Sequence, residues 1–211
     1  MKITSVDVLK CKGKCSVETD VFYTINVRVN TDAGISGFGE AGVSYGVGAD
    51  AAFGMCRVIL GMDPMDNEAI WDKMHRKTFW GMGGGTIVFA GMSAIDIAVW
   101  DIKGKAVGVP VYKLLGGKTN GRLRAYASQI QFDWSGKSKA MLTPEDYRVA
   151  TRHAMEAGFD CVKVDPLLWS RRGGFQDWNT RGILTNEKLK TAVERVAAVR
   201  EEGGDGLDII I

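Results

Sequence analysis

Apolar and polar residues alternate along residues 22–30, with Tyr23, Ile25, Val27 and Val29 separated by Thr24, Asn26, Arg28 and Asn30. A period of two marks a strand with one buried face and one wet face. Residues 2–10 alternate in the same way. Asp32-Ala33-Gly34 is turn chemistry, and a third strand is predicted from Ile35 to Glu40. The short connections predict an antiparallel meander, with a polar loop from Lys12 to Asp20 between the first two strands. Helices follow. Residues 50–61 are helical in pattern, and Asp66 is placed to cap a helix running to about Phe79, with Ile70 and Met74 on one face. After the glycine cluster Gly81-Met82-Gly83-Gly84-Gly85, a long helix is predicted from Thr86 to Val107. Its residues Val88, Met92, Ile95, Val99 and Ile102 form a continuous apolar stripe, Gly108 ends it, and Pro110 prevents its continuation.

Beyond Gly116-Gly117 the rhythm changes. Arg122 to Ser128 and Cys161 to Asp165 read as strands, and Leu207 to Ile211 as a third. Thr143-Pro144-Glu145-Asp146 is a strong helix start, with a capping threonine, proline at the first helical position and acids in the first turn. That helix ends at Gly158. A second helix opens at Thr185 or Asn186, with Leu189, Val193 and Val196 expected inward, and ends at Gly203-Gly204. The order β-α-β-α-β predicts parallel strands. Three such strands cannot close a β/α barrel, which needs eight strands and about 250 residues. The expected architecture is therefore an α+β domain over residues 1–118, followed over residues 119–211 by the first three strands of an incomplete (β/α) TIM-type barrel. A doubly wound sheet is the competing architecture. The stop on Ile209-Ile210-Ile211 predicts a chain cut from a longer one, and a fragment inactive by itself.

Composition narrows the class. The 211 residues are 45% hydrophobic and 25% charged with a net charge of +2, ordinary for a globular protein and too weak a field to suggest a nucleic-acid partner. No apolar run reaches the ~18 residues of a membrane helix, so no membrane partner is expected. The N-terminus lacks a signal-peptide core, which predicts a cytoplasmic location. Cys11, Cys15, Cys56 and Cys161 form no CxxC pair, and His75 and His153 lie far apart. Reduced thiols fit better than a metal site.

The strand at Cys161 carries the most informative chemistry. Alternation puts Cys161, Lys163 and Asp165 on one face and Val162 and Val164 on the other. The valines suit the helix-facing side, and the polar set then points into the barrel. Pro166 ends the strand, so Lys163 and Asp165 sit at its C-terminal end, where barrel active sites are built. Their Cα atoms are about 6–7 Å apart. A lysine held there can act as a base or hold an anionic oxygen, and an internal ion pair with Asp165 is the alternative.

Four segments then carry a resemblance. They are Thr31-Asp32-Ala33-Gly34-Ile35-Ser36-Gly37-Phe38-Gly39-Glu40, Met92 to Lys105 (MSAIDIAVWDIKGK), Pro110-Val111-Tyr112-Lys113-Leu114-Leu115-Gly116-Gly117, and Gly158-Phe159-Asp160-Cys161-Val162-Lys163-Val164-Asp165. In order along the chain, they resemble the enolase superfamily, in its mandelate racemase/muconate lactonizing branch, and most of all its acid-sugar dehydratases. The resemblance implies an α+β capping domain over a barrel. It also implies a hydro-lyase that removes the proton α to a sugar-acid carboxylate with the help of Mg²⁺, expels a β-hydroxyl and leaves a 2-keto-3-deoxy acid. A racemase or cycloisomerase of the same branch, or a non-catalytic barrel used for binding, is the alternative.

Many members carry Lys-x-Lys on the second barrel strand. Here Lys163 matches the first lysine and Asp165 stands in place of the second. The family's carboxylate ligands for Mg²⁺ lie at the ends of the third, fourth and fifth strands, beyond this chain, so none is assigned here. Asp96, Asp101 and Lys103 are expected to serve packing within the capping domain. Substrate contacts are expected from Tyr45 in the loop after the third strand and from Trp80 beside the glycine cluster. Arg171 and Arg172 are expected to add contacts from the long Leu167 to Leu184 loop, since arginine suits carboxylate recognition, with a subunit contact as the alternative. A small sugar acid is the expected partner, and the family predicts a homo-oligomer.

Overall fold

The computed structural model describes residues 1–14, 21–42, 48–77, 79–135, 139–174 and 182–211, with the backbone alone at 12–14, 21–23, 48, 79 and 80. The chain divides into two units, Met1–Gly121 and Arg122–Ile211.

In the first unit, β1 (Ile3–Lys14), β2 (Val21–Thr31) and β3 (Ser36–Ala41) pair antiparallel in that order. β1 runs further than its alternation predicted. Lys14 still pairs with Val21, so pairing extends into the stretch expected to be loop. Ile25, Val27 and Val29 are fully buried on one face of β2. The other face carries polar pairs across the strands, such as Arg28 on Asp7 at 2.7 Å. The Arg28 guanidinium and Asn30 hold the Asp7 carboxyl below its ordinary pKa.

α1 (Gly48–Ile59), α2 (Asn67–Lys77) and α3 (Gly85–Val107) cover the apolar sheet face. Of the predicted stripe, Met92, Ile95, Val99 and Ile102 of α3 are fully buried, and Val88 packs against the core partly buried. Gly108 ends α3 in the left-handed conformation at φ 71°, and the short α4 (Val111–Leu114) follows. By length and composition α3 is apolar enough to cross a bilayer, although no uninterrupted apolar run predicted one. Its charged residues, Asp96, Asp101, Lys103 and Lys105, all lie from its midpoint onward, and its buried stripe belongs to this core.

The approach of α3 to β3 explains two glycines. A Cβ on Gly37 would lie 1.9 Å from the Ala98 carbonyl oxygen, and one on Gly39 would lie 2.0 Å from that of Ala94. Around them, the Asp101 carboxylate accepts the Phe38 amide at 3.0 Å, and Lys103 Nζ donates to the Met65 carbonyl at 2.9 Å.

In the second unit, β4 (Cys161–Lys163) and β5 (Asp208–Ile210) pair in parallel. The predicted Arg122–Ser128 strand is reduced to one parallel bridge, Ala127 to Val162. Ala127 is buried, whereas residues 122–126 are exposed. Arg124 turns to the Asp160 and Asp208 carboxylates, and Gln129 leaves extended geometry at φ 59°. α5 (Pro144–Glu156) and α6 (Asn186–Gly203) connect the parallel segments and pack with them around Tyr147, Ala150, Val162, Val164, Ala198 and Val199.

The inward face of α6 differs from the expected one. Of the three residues expected inward, Leu189 and Val193 are 51% and 59% exposed and Val196 is half-buried, whereas Thr191, Arg195, Ala198 and Val199 are buried. The helix is turned so that Thr191 and Arg195, rather than Leu189 and Val193, enter the interior beside Ala198 and Val199. Arg195 finds its partners there in carbonyls of other segments, those of Leu142, Pro166 and Trp169. The arrangement is an α+β capping domain followed by the opening β/α units of a barrel.

Candidate active site

β4 sorts its side chains as alternation requires. Val162 and Val164 are 0% and 1% exposed on the helix side. Lys163, between them, is exposed on the opposite face at the C-terminal end of the strand. The Val164 amide still donates to the Ile210 carbonyl at 2.9 Å. Beyond that point side chains take over from the sheet. The Asp165 amide donates to Gln131 Oε1 at 3.2 Å, and Asp165 Oδ1 accepts the Leu167 amide at 3.0 Å. Asp165 thus caps the turn that leaves the strand. Among the described residues no ion pair joins Lys163 to Asp165, so the lysine cation remains available on its exposed face.

The remaining candidates are placed as follows. Tyr45 lies outside the described residues. Trp80 falls in the short 3-10 helix Phe79–Met82 of the first unit, and its side chain is likewise outside them. Gly85, at φ 66°, provides the left-handed residue that starts α3 after the glycine cluster. In the second unit Arg171 is engaged by α6: its Nε donates to Thr191 Oγ1 at 2.6 Å, and its Nη2 pairs with Glu194. That guanidinium braces the loop against the helix. Arg172 is exposed.

Three further residues shape the site. Gln131 is 1% exposed, and its backbone carbonyl accepts the Trp169 indole N–H at 2.9 Å. Trp169 is 5% exposed and stands edge-on to Phe132, with ring centroids 5.4 Å apart, so it anchors the loop after β4. Arg195, also 1% exposed, donates to the carbonyls of Leu142, Pro166 and Trp169. Its guanidinium lies 5.3 Å from the centroid of the Tyr147 ring. Burial pushes the Arg195 pKa down and lifts the Tyr147 hydroxyl to about 12. A period-3.6 count from Thr191 through Arg195 to Ala198 and Val199 would have found Arg195. Gln131 has no sequence signal, because its role depends on where the loop after Ala127 folds.

Beside this, Asp133 sits at φ 70° and bonds His153 Nδ1 at 2.9 Å. Burial works against ionisation of Asp133, but bonds from Ser135, His153 and the Trp134 amide outweigh it and lower its pKa. Among the described residues no group of three or more His, Cys, Asp or Glu side chains converges as a metal site.

Comparison with known proteins agrees with this arrangement. Residues 14–116 match the mandelate racemase / muconate lactonizing enzyme N-terminal domain. D-gluconate dehydratase of Thermoproteus tenax is 33% identical over 191 residues, covering 90% of this chain and 35% of the relative. D-galactonate dehydratase of Pectobacterium atrosepticum is 33% identical over 186 residues, covering 86% of this chain and 42% of the relative. A solved enolase-superfamily member from Salmonella Typhimurium superposes with a TM-score of 0.91 at 48% identity, covering 99% of this chain and 53% of that one. The chain therefore spans about half the length of these relatives, or less. Capping-domain match, parallel β/α units and dehydratase relatives together place the chain in the enolase superfamily, among sequences similar to acid-sugar dehydratases.

Proposed function

We propose that the protein is an acid-sugar dehydratase, acting on a substrate of the gluconate or galactonate kind. The observation that carries the reading is Lys163, exposed at the C-terminal end of a parallel β/α strand, in a chain whose similarity to such dehydratases runs along most of its length. In the proposed reaction a base removes the C2 proton, α to the carboxylate. The electron pair enters the carboxylate as an enediolate and returns to expel the C3 hydroxyl, which leaves as water after protonation. The enol formed takes a proton at C3 and becomes a 2-keto-3-deoxy acid.

Lys163 suits the anionic end of this sequence. A cation held near the carboxylate stabilises the enediolate more than the substrate, because charge accumulates on those oxygens as the C–H bond breaks. Asp165 is the candidate base, with one carboxylate oxygen committed to the Leu167 amide. The family resemblance brings Mg²⁺ with it. The described residues do not compose a site for that ion.

The test is to incubate the full-length protein and Mg²⁺ with D-gluconate, D-galactonate and D-mannonate and assay for 2-keto-3-deoxy acids. Product from at least one is expected. No product from any sugar acid, with metal shown to be bound, would contradict the reading.

A further inference from the structure

Among the described residues, Arg195 is the largest fully buried side chain. Among the described residues no carboxylate pairs with it. Four hydrogen bonds to backbone oxygens surround the guanidinium instead. Nε and Nη2 both reach the Leu142 carbonyl, at 3.2 and 2.7 Å. Nη1 reaches the carbonyls of Pro166 at 2.7 Å and Trp169 at 2.8 Å. Removing a cation from water without an anionic partner is costly, and well-packed apolar residues often replace such groups without loss of stability. Packing alone therefore does not account for an arginine here. What the planar fork supplies is geometry: rigid donors that hold separate carbonyls in one arrangement.

The carbonyls it holds matter for the site. Pro166 follows Asp165 directly and has no N–H of its own to donate. The ladder to β5 ends with the Val164 amide. From Asp165 onward the backbone is fixed by Gln131 Oε1 on one side and by the Arg195 guanidinium on the other. The Leu142 carbonyl lies just before the Thr143 cap of α5, so the same guanidinium ties that helix start to the end of β4.

We infer that Arg195 is a positioning residue, whose clamp on the Leu142, Pro166 and Trp169 carbonyls sets where the end of β4 presents Lys163 and Asp165. This inference rests on the proposed roles of those two residues. A displacement of about 1 Å at a reacting group costs on the order of a hundredfold in rate.

The test uses the full-length enzyme with Mg²⁺, D-gluconate and D-galactonate as probes, and hydrogen exchange of the Leu167 amide and Trp169 indole protons, which needs no substrate. Arg195→Met is expected to speed both exchanges while α5 and α6 stay protected, and to lower kcat about a hundredfold with a far smaller change in KM. Added guanidinium ion is expected to restore part of the rate. Unchanged exchange would overturn the clamp, and faster exchange with normal kcat would overturn the positioning role. Should Arg195→Met fail to fold, Arg195→Lys, which keeps the charge but not the fork, decides by the same two readouts. If the unaltered enzyme turned over neither acid, the proposed function would fail, while the exchange measurement would still decide the clamp.

Discussion

At Gly39 a methyl group has nowhere to go. The nearest atom to an added Cβ would be the Ala94 carbonyl oxygen at 2.0 Å, which is backbone and cannot rotate away. Gly39→Ala must push α3 off β3, and overpacking of this kind costs about 1–3 kcal/mol or more. A fall of at least that size is expected in urea unfolding of the protein, and an unchanged midpoint would contradict the packing. The Gly37-Phe38-Gly39-Glu40 segment is thus a fold signature, which is why it identifies a family and not a substrate. Lys163 stands at the other extreme. It is exposed and outside the hydrophobic core, so Lys163→Ala is expected to leave the melting temperature unchanged and abolish turnover in the full-length enzyme. A near-normal rate would make it an ordinary surface residue. Asp165→Asn keeps an acceptor for the Leu167 amide and removes the carboxylate proposed as the base. Lost turnover is expected, and a normal rate would leave Asp165 with the turn alone.

Among the elements, α5 shows how local chemistry becomes stability. Thr143 Oγ1 accepts the Asp146 amide, and the Asp146 carboxylate accepts the Thr143 amide at 2.9 Å. Thr143→Ala is expected to cost about 1 kcal/mol. Burial disfavours the Asp146 carboxylate, yet bonds from the Thr143 amide and hydroxyl and the Leu142 amide outweigh it, and its pKa lies below the ordinary 3.8. A carboxyl with a depressed folded pKa stabilises the protein above its unfolded pKa, and this contribution disappears as pH falls through the folded value. The melting-temperature gap between wild type and Asp146→Asn is therefore expected to be present at neutral pH and to close below about pH 4. A gap that widened in acid would contradict the assignment. The start of α5 and the end of α3 were legible from Thr143-Pro144 and Gly108, because caps depend on residues adjacent in sequence. The face of α6 was not. Leu189 and Val193 looked inward by hydrophobicity, but carbonyls contributed by distant segments drew Arg195 inside.

For the whole molecule, the meander and the alternation of strand and helix after Arg122 followed from periodicity together with turn and cap residues. The first parallel strand did not survive as a strand, because only Ala127 has both a pairing partner and a buried side chain. Lys163 could be placed at a strand end from Pro166 and the flanking valines. Gln131 and Arg195 hold that end through contacts between segments far apart in the chain; helical spacing marks the buried position of Arg195, but no local pattern encodes its partners or the role of Gln131. The central claim concerns what the whole protein does with a sugar acid, and isotope labelling reads it most directly. The full-length enzyme would be run with Mg²⁺ and D-galactonate or D-gluconate in D₂O, with products followed by NMR. Dehydration predicts a 2-keto-3-deoxy acid with one deuterium at C3, delivered from solvent as the enol collapses. Recovery of sugar acid labelled at C2 with no deoxy product would contradict dehydration and point to a racemase.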